Sequence, residues 1–254
     1  MEGRIMKPVA PLILASAVFL LPAVPATAIA EDTYKEAYAE MSIYSHYVWR
    51  GTKLSDKAVL QPNIGFIYNN FGFDLWSNYD LENNEHNETD YTLDYTISHN
   101  LIEVIVGYVH YANEGPESSE TSEFFLSTSY DTLLSPSLTL YYDNDEGDGG
   151  FVELSGEHTV NLADSFDTTI SAVVSYNMDH AGMGTDEDGK EFSNLYHAEV
   201  SISIPFELNN DISLEAVAAH AFALNDDSEY AISDNSNDGD DSVTYVGVTA
   251  SLSF

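Results

Sequence analysis

The sequence contains no cysteine, so a disulfide framework, a thiolate metal site and a cysteine nucleophile are all excluded. It is poor in positive charge, with 7 Lys and Arg against 43 Asp and Glu. Such a surface repels phosphate backbones, which argues against a nucleic-acid partner. Past residue 30 there is no apolar run near the ~18 residues that a membrane-crossing helix needs. A convincing helical period is missing as well. What the chain does have is aromatic side chains, 17 Tyr and 12 Phe. That content is at odds with disorder despite the charge.

The first thirty residues read as an export signal, separate from the fold. Arg4 and Lys7 form a short positive region, Val9 to Val24 an apolar stretch, and Ala26-Thr27-Ala28-Ile29-Ala30 a small-residue cleavage site. Cleavage after Ala30 leaves residues 31–254 as one domain, with no cysteine for lipid attachment.

Period-two alternation marks twelve segments of that domain. The first runs Ala37, Ala39, Met41, Ile43, Tyr47 and Trp49 against Tyr38, Glu40, Ser42, Tyr44 and His46. The second alternates Leu60, Ile64, Phe66 and Tyr68 with Gln61 and Asn63, and the third turns back at once through Phe71, Phe73, Leu75 and Tyr79. The fourth sets Tyr91, Leu93, Tyr95 and Ile97 against Thr92, Asp94, Thr96 and Ser98. Eight more lie at 102–111, 122–130, 137–143, 151–160, 166–177, 194–204, 212–223 and 242–254.

Segments of ~10 residues, even in number, fit an all-β, transmembrane, antiparallel up-and-down β-barrel of about 12 strands. The connections agree. Those after even segments are short, such as Asn69-Asn70, while 80–90, 112–121, 177–193 and 224–241 are longer and acidic. With the N-terminus on the periplasmic side, the long loops face outward in the outer membrane of a Gram-negative cell. Aromatic girdles are expected from Trp76, Tyr79, Tyr91, Tyr111, Tyr142 and Tyr176 outside, and from Tyr68, Phe71, Tyr130, Phe166 and Phe206 inside. The chain ends in an alternating Ser251-Leu252-Ser253-Phe254, and the terminal Phe254 resembles the signal by which barrel-assembly machinery recognises its clients.

If the apolar phase faces lipid, the other phase lines the interior with Glu40, Asp74, Asp94, Glu103, Glu123, Glu153, Asp167, Glu199 and Glu215. Tyr38, Tyr44, Phe125, Tyr141 and Tyr245 share that phase and narrow the passage. Acidic linings attract cations. The expectation is a porin-like channel for passive, cation-preferring diffusion of small cationic or neutral solutes. The alternative is a non-conducting structural barrel whose acidic outer loops bind divalent cations, lipopolysaccharide or other envelope partners.

No cofactor is expected beyond Ca2+ or Mg2+ held loosely at the acidic loops. Asp143-Asn144-Asp145-Glu146-Gly147-Asp148 has a calcium-like look. So does the stretch from Asp234 to Gly239, where Asp234 and Asp238 are the metal candidates. Tyr245 falls where an EF-hand needs its closing carboxylate. Enzyme activity is not expected. The chain has no Gly-x-Ser-x-Gly elbow and no His-Glu-x-x-His, and Ser45 and His46 as strand neighbours would point to opposite faces.

The stretch Tyr44-Ser45-His46-Tyr47-Val48-Trp49-Arg50-Gly51, then Ser55, Gln61-Pro62, Gly72-Phe73 and Trp76-Ser77-Asn78, resembles the N-terminal signature of the TorF family of porins. Members typically read Ser-Asp-Tyr-Val-Phe-Arg-Gly; here His46 replaces the acid, Trp49 replaces Phe, and Asp74 enters the third-strand motif. The resemblance covers roughly residues 40–80 and implies an outer-membrane barrel with a transport role, without a substrate. On the residues alone, Arg50 is expected at the outer end of the first strand. There it would pair with Asp80 or Asp241, or contact lipopolysaccharide phosphate.

Overall fold

The structure is a computed structural model that describes residues 35–113, 120–163 and 166–254. The export signal expected at residues 1–30 lies outside the described residues, as do the side chain of Phe166 and parts of the 112–121 and 161–165 connections. The elements in chain order are β1 (Lys35–Tyr44), a small hairpin of β2 (Val48–Trp49) and β3 (Thr52–Lys53), β4 (Val59–Tyr68), β5 (Phe71–Asp80), β6 (Glu85–His99) and β7 (Ile102–Asn113). There follow β8 (Thr121–Tyr130), β9 (Ser137–Asp143), β10 (Gly149–Ala163), β11 (Phe166–Met178), a 3-10 turn at Ala181–Met183, β12 (Ser193–Glu207), β13 (Ile212–Ala223), α1 (Asp226–Asn235) and β14 (Ser242–Ser253).

Twelve of these strands, β1 and β4 to β14, form one closed antiparallel barrel in which chain neighbours are sheet neighbours. β1 closes it, pairing with β14 in the register Tyr38↔Ser253 to Tyr44↔Gly247. The seam runs to the last residue, since Ala37 and Phe254 exchange both backbone hydrogen bonds at 3.0 and 2.9 Å. Closure leaves no edge with unpaired backbone groups, the condition for a sheet surrounded by lipid.

The strands present their apolar phase outward. Met41, Ile43, Ile64, Phe66, Leu93, Ile97, Val106, Leu126, Leu154, Ile170, Val200 and Val248 are all exposed, while their polar neighbours in sequence turn inward. Exposed Tyr91, Tyr142 and Tyr176 stand toward one end of this belt and Tyr68, Phe71, Tyr130 and Phe206 toward the other. Trp76 and Tyr111 depart from the expected outer girdle. Trp76 packs on Tyr47 inside, and Tyr111 is buried with its hydroxyl on Glu123.

Three segments differ from the sequence reading. The first strand stops at Tyr44 rather than continuing to Trp49, because the chain folds inward at Ser45 and returns through β2 and β3. The acidic stretch 80–90 is mostly strand: β6 begins at Glu85 and only a turn at 81–84 joins it to β5. The 224–241 loop contains a helix. Asn225 caps α1 by accepting from the backbone N–H groups of Asp227 and Ser228, and Asp226, Asp227 and Glu229 complement its N-terminal dipole. Only Ala231 and Ile232 supply its buried apolar side chains. So small an apolar face in so acidic a segment leaves almost no helical period to read.

Candidate functional site

The barrel interior is where polar chemistry collects, and it divides into two regions. The first is built around the inward hairpin. Trp49 pairs with Thr52, leaving Arg50 and Gly51 as the two central residues, both at positive φ (48° and 83°). Two positive φ values suit the tight turn that matches strand twist. Gly51 is required there, since a Cβ would sit 2.9 Å from that of His197. Arg50 in a left-handed conformation is uncommon and marks a position held by its surroundings.

Those surroundings are specific. Arg50 is 4% exposed and donates from both terminal nitrogens to Glu123, at 2.8 and 2.7 Å. Glu123 belongs to β8, separated from β1 by four strands, so the contact crosses the barrel. The guanidinium also lies over the rings of Trp49, Tyr141 and Phe151, with centroids at 4.7, 4.7 and 4.3 Å. Glu123 accepts two further bonds, from the Tyr111 hydroxyl at 2.9 Å and from His180 Nε2 at 2.9 Å. Four donors fill the lone-pair sites of one carboxylate.

His180 is oriented by its own backbone. Its Nδ1 accepts the Gly182 N–H at 3.1 Å, which places the imidazole proton on Nε2, facing Glu123. Asp143 Oδ2 is 3.9 Å from the same nitrogen and accepts from the Thr121 hydroxyl at 2.5 Å. Glu123, Asp143 and His180 bring potential metal-ligand atoms within 4.8 Å of one another. The donor set argues against a metal there: Arg50 already holds both Glu123 oxygens and His180 offers a proton rather than a lone pair.

The plug around this node is well packed. Tyr141, Phe151, Met183, Phe192, Tyr196, Ala231 and Ile232 form one buried cluster, with the Tyr196 hydroxyl on the Met183 carbonyl at 2.9 Å. Tyr44, Tyr47, Val48, Val59, Val217, Ala219, Ala221, Val243 and Tyr245 form a second. The hairpin is tied to the end of α1: the Lys53 N–H donates to Ser236 Oγ at 3.2 Å, and the Asn237 N–H donates to the Lys53 carbonyl at 3.0 Å. The Lys53 ammonium hydrogen-bonds Asp238. Burial pushes the Asp238 carboxyl up, but the Lys53 hydrogen bond and charge outweigh it and hold the group below its ordinary range. The Lys53 ammonium is raised: burial opposes this, and hydrogen bonds to Asp238 and Asp56 prevail. Nearby, burial and then the Lys53 charge lower His46.

The second region is the wall formed by β4, β5 and β6. Asp74 of β5 and Asp90 and Asp94 of β6 are buried on its inner face, with Glu88 further along. Asp74 pairs with Thr92, so Asp90 and Asp94 stand diagonally on either side of it. Asp94 folds over Gly72, where a Cβ would meet its Oδ2 at 2.2 Å. Asp74 accepts the Tyr38 hydroxyl at 2.5 Å, and Glu88 the Tyr47 hydroxyl at 2.7 Å. None of these four carboxylates has an ion pair among the described residues.

The remaining site residues expected from the sequence fall as follows. Glu153 and Glu199 are buried inside, and Glu199 accepts the Tyr245 hydroxyl at 2.8 Å. Glu40, partly buried, accepts from Ser251 at 3.0 Å, and Glu103 from Ser98 at 3.1 Å. Glu215 is partly buried, and Asp167 is exposed beside Asn161, whose amide donates to it at 2.8 Å. Of the inward aromatics, Tyr38, Tyr44, Tyr141 and Tyr245 are buried and Phe125 is partly buried. Phe254 is exposed at the seam.

Arg50 requires correction. Its partner is Glu123 rather than Asp80 or Asp241, and its burial takes it away from any lipopolysaccharide. Asp80 instead accepts the Glu82 and Asn83 N–H groups, closing its own turn. Asp234 lies exposed in α1 and Asp238 is engaged by Lys53, so the stretch from Asp234 does not form an EF-hand loop. Ser45 and His46 also differ. They sit in a bend past β1, so Ser45 Oγ lies 3.0 Å from His46 Nδ1, and the same Oγ accepts the Val246 N–H at 3.1 Å.

Sequence reasoning missed Glu88, Asp90, Asp143 and His180 as interior groups. For Glu88 and Asp90 a signal existed, because Glu88, Asp90, Thr92 and Asp94 alternate in one phase.

No family model matches the sequence, and no curated protein matches it. Solved structures with the same fold do. The NanC porin shares 11% identity, covers 86% of this chain and 99% of its own, and superposes with a TM-score of 0.50. An outer membrane channel from Pseudomonas putida F1 shares 9% over 87% of this chain and 95% of its own, with a TM-score of 0.45. Outer membrane phospholipase A from Escherichia coli shares 13% over 91% and 93%, with a TM-score of 0.43. The likeness is one of fold: this chain, like the NanC porin, is a closed antiparallel barrel.

Proposed function

We propose that this protein is an outer-membrane, porin-like barrel whose interior passes small cations and neutral solutes in preference to anions. The observation that carries the reading is the inner face itself. Asp74, Asp90, Asp94, Glu153 and Glu199 are buried there, and the arginine that enters the interior is bound to Glu123. Carboxylates in a low-dielectric wall set a negative potential along any aqueous path beside them. The apolar outer belt, with aromatics toward both ends, supports residence in a bilayer.

A second reading draws on a different observation. The hairpin from Ser45 to Ser55, α1 and the 3-10 turn pack across one end of the interior, which favours a barrel closed at that end. In that case the acidic loops, lipopolysaccharide and divalent ions at the surface are its business. The test is a planar bilayer containing the refolded protein under a KCl gradient. A reversal potential of the cation-selective sign is expected. Anion preference, or silence in both the native protein and Arg50→Ala, overturns the channel reading.

A further inference from the structure

The acids on the inner phase of the barrel divide by their contact with water. Asp74, Asp90, Asp94, Glu153 and Glu199 are buried. Groups closed off in this way act on a passing ion only through their field across the protein. Four glutamates of the same phase are instead partly exposed: Glu40 on β1, Glu103 on β7, Glu157 on β10 and Glu215 on β13. Buried neighbours two or four residues away fix that phase. They are Tyr38 and Ser42 around Glu40, Ile105 after Glu103, Glu153 before Glu157 and Val217 after Glu215.

The closed sheet spreads these four around the lumen. In the strand order, β1, β7, β10 and β13 stand four, three, three and two strands apart. Glu103, Glu157 and Glu215 lie toward the short-turn ends of their strands, and Glu40 pairs with Ser251, two residues from the end of β14. Neutral donors orient two of the carboxylates and leave their charge in place. Glu40 accepts from Ser251 at 3.0 Å and from Asn63 at 3.4 Å, and Glu103 from Ser98 at 3.1 Å. The bases of the described chain are engaged elsewhere. Arg50 is held by Glu123, Lys53 by Asp56 and Asp238, Lys57 by Glu82 and Lys190 by Asp188, while Lys35 lies over the Tyr68 ring. None of the four glutamates joins a cluster tight enough to coordinate a metal, so a solute passes between them with its hydration shell.

We infer that Glu40, Glu103, Glu157 and Glu215 are the selectivity filter of this barrel. They form a charged ring at the short-turn end that admits hydrated monovalent cations and small organic ammonium ions and holds back anions. This role deepens the channel reading, on which it rests for the passage of ions. It also separates the ring from the buried wall. Exposed charges are screened over a Debye length of ~10 Å at 0.1 M salt and ~3 Å at 1 M, and buried ones much less. A cation preference set by the ring fades in concentrated salt, and one set by the buried acids persists.

The test is the reversal potential of the refolded protein in planar bilayers under KCl gradients, centred on dilute and then on concentrated salt. The preference of the native barrel for K+ over Cl− is expected to fall about threefold or more between ~0.1 M and ~1 M. Combining Glu40→Gln, Glu103→Gln, Glu157→Gln and Glu215→Gln removes the preference in dilute salt. Glu157→Gln alone moves it part of the way, and further than Asp90→Asn or Glu199→Gln does. If the combined variant does not fold, the pair Glu103→Gln and Glu157→Gln is expected to remove a large share of the preference. A preference that survives in these combinations, or that responds more to Asp90→Asn than to Glu157→Gln, overturns the filter and leaves the channel reading standing. A native barrel that passes no current overturns the channel reading and the filter together.

Discussion

Two carboxylates inside one barrel, Glu123 and Asp90, are equally buried and differ completely in company. Glu123 accepts from Arg50 twice, from Tyr111 and from His180, while Asp90 accepts from nothing in the described protein. The inward hairpin lands on the strand of Glu123, beside Tyr111 and His180, and not on that of Asp90. Arg50 crosses to β8 and leaves the β5–β6 wall with acids alone. Burial by itself therefore says little about an acid's role. A fully donated carboxylate is part of the architecture, and an undonated one carries a desolvation cost that nothing around it offsets.

The largest expected effect tests the first half of that comparison. Arg50→Ala strands Glu123 as a buried charge with two of its four donors gone. The expected loss is about 3–5 kcal/mol of stability, read as an earlier urea midpoint for the barrel in vesicles. Removing both partners together, as Arg50→Ala with Glu123→Ala, should cost less than the sum of the single changes. An unchanged midpoint in Arg50→Ala would show that the hairpin is held by apolar packing alone.

The second test turns on sign. Glu123→Gln gives up charge-assisted bonds and is expected to destabilise by about 1.5–3 kcal/mol. Asp90→Asn, in divalent-free buffer, removes an unpaired charge and is expected to stabilise by about 1 kcal/mol. Two shifts of the same direction, measured side by side by urea unfolding, would erase the distinction between the regions.

The smallest effect concerns the tether between the hairpin and α1. The Asp238 carboxyl is held below its ordinary range, so the unfolded chain takes up its proton first as the solution is acidified. Its stabilising contribution is present above the ordinary carboxylate pKa of ~4 and disappears as pH falls through the lower folded value. The Lys53 ammonium is raised, so its share is present below ~10.4 and is lost as pH rises through the folded value. Because Asp238 is partly solvent-exposed, the pair contributes about 1 kcal/mol or less. Asp238→Asn should remove the acid-side part of that pH dependence in unfolding experiments, and curves that superimpose would rule the tether out.

Much of the wall was legible in the sequence. The strands at 137–143 and 212–223 have the expected limits, and the others shift mainly at their ends. The inner acids of β5, β6, β8, β10 and β12 follow from alternation once the outer phase is known to be apolar. Glu88 and Asp90 escaped because an acidic stretch reads as loop when charge is weighed above period. Trp49 and Tyr47 continued the alternation of β1, yet the chain leaves the wall at Ser45, because Arg50 and its neighbours gain partners inside that no local pattern announces.

What the sequence by itself determined is the barrel: a period of two, apolar on one phase and closed by complementary first and last strands. That information is local, because each strand's faces are set by the direction of successive side chains. What only the tertiary structure decided is the interior, including which acid Arg50 reaches and which acids it leaves unpaired. Those outcomes depend on contacts between residues as far apart as Arg50, Glu123 and His180, which meet only when the barrel has closed around them.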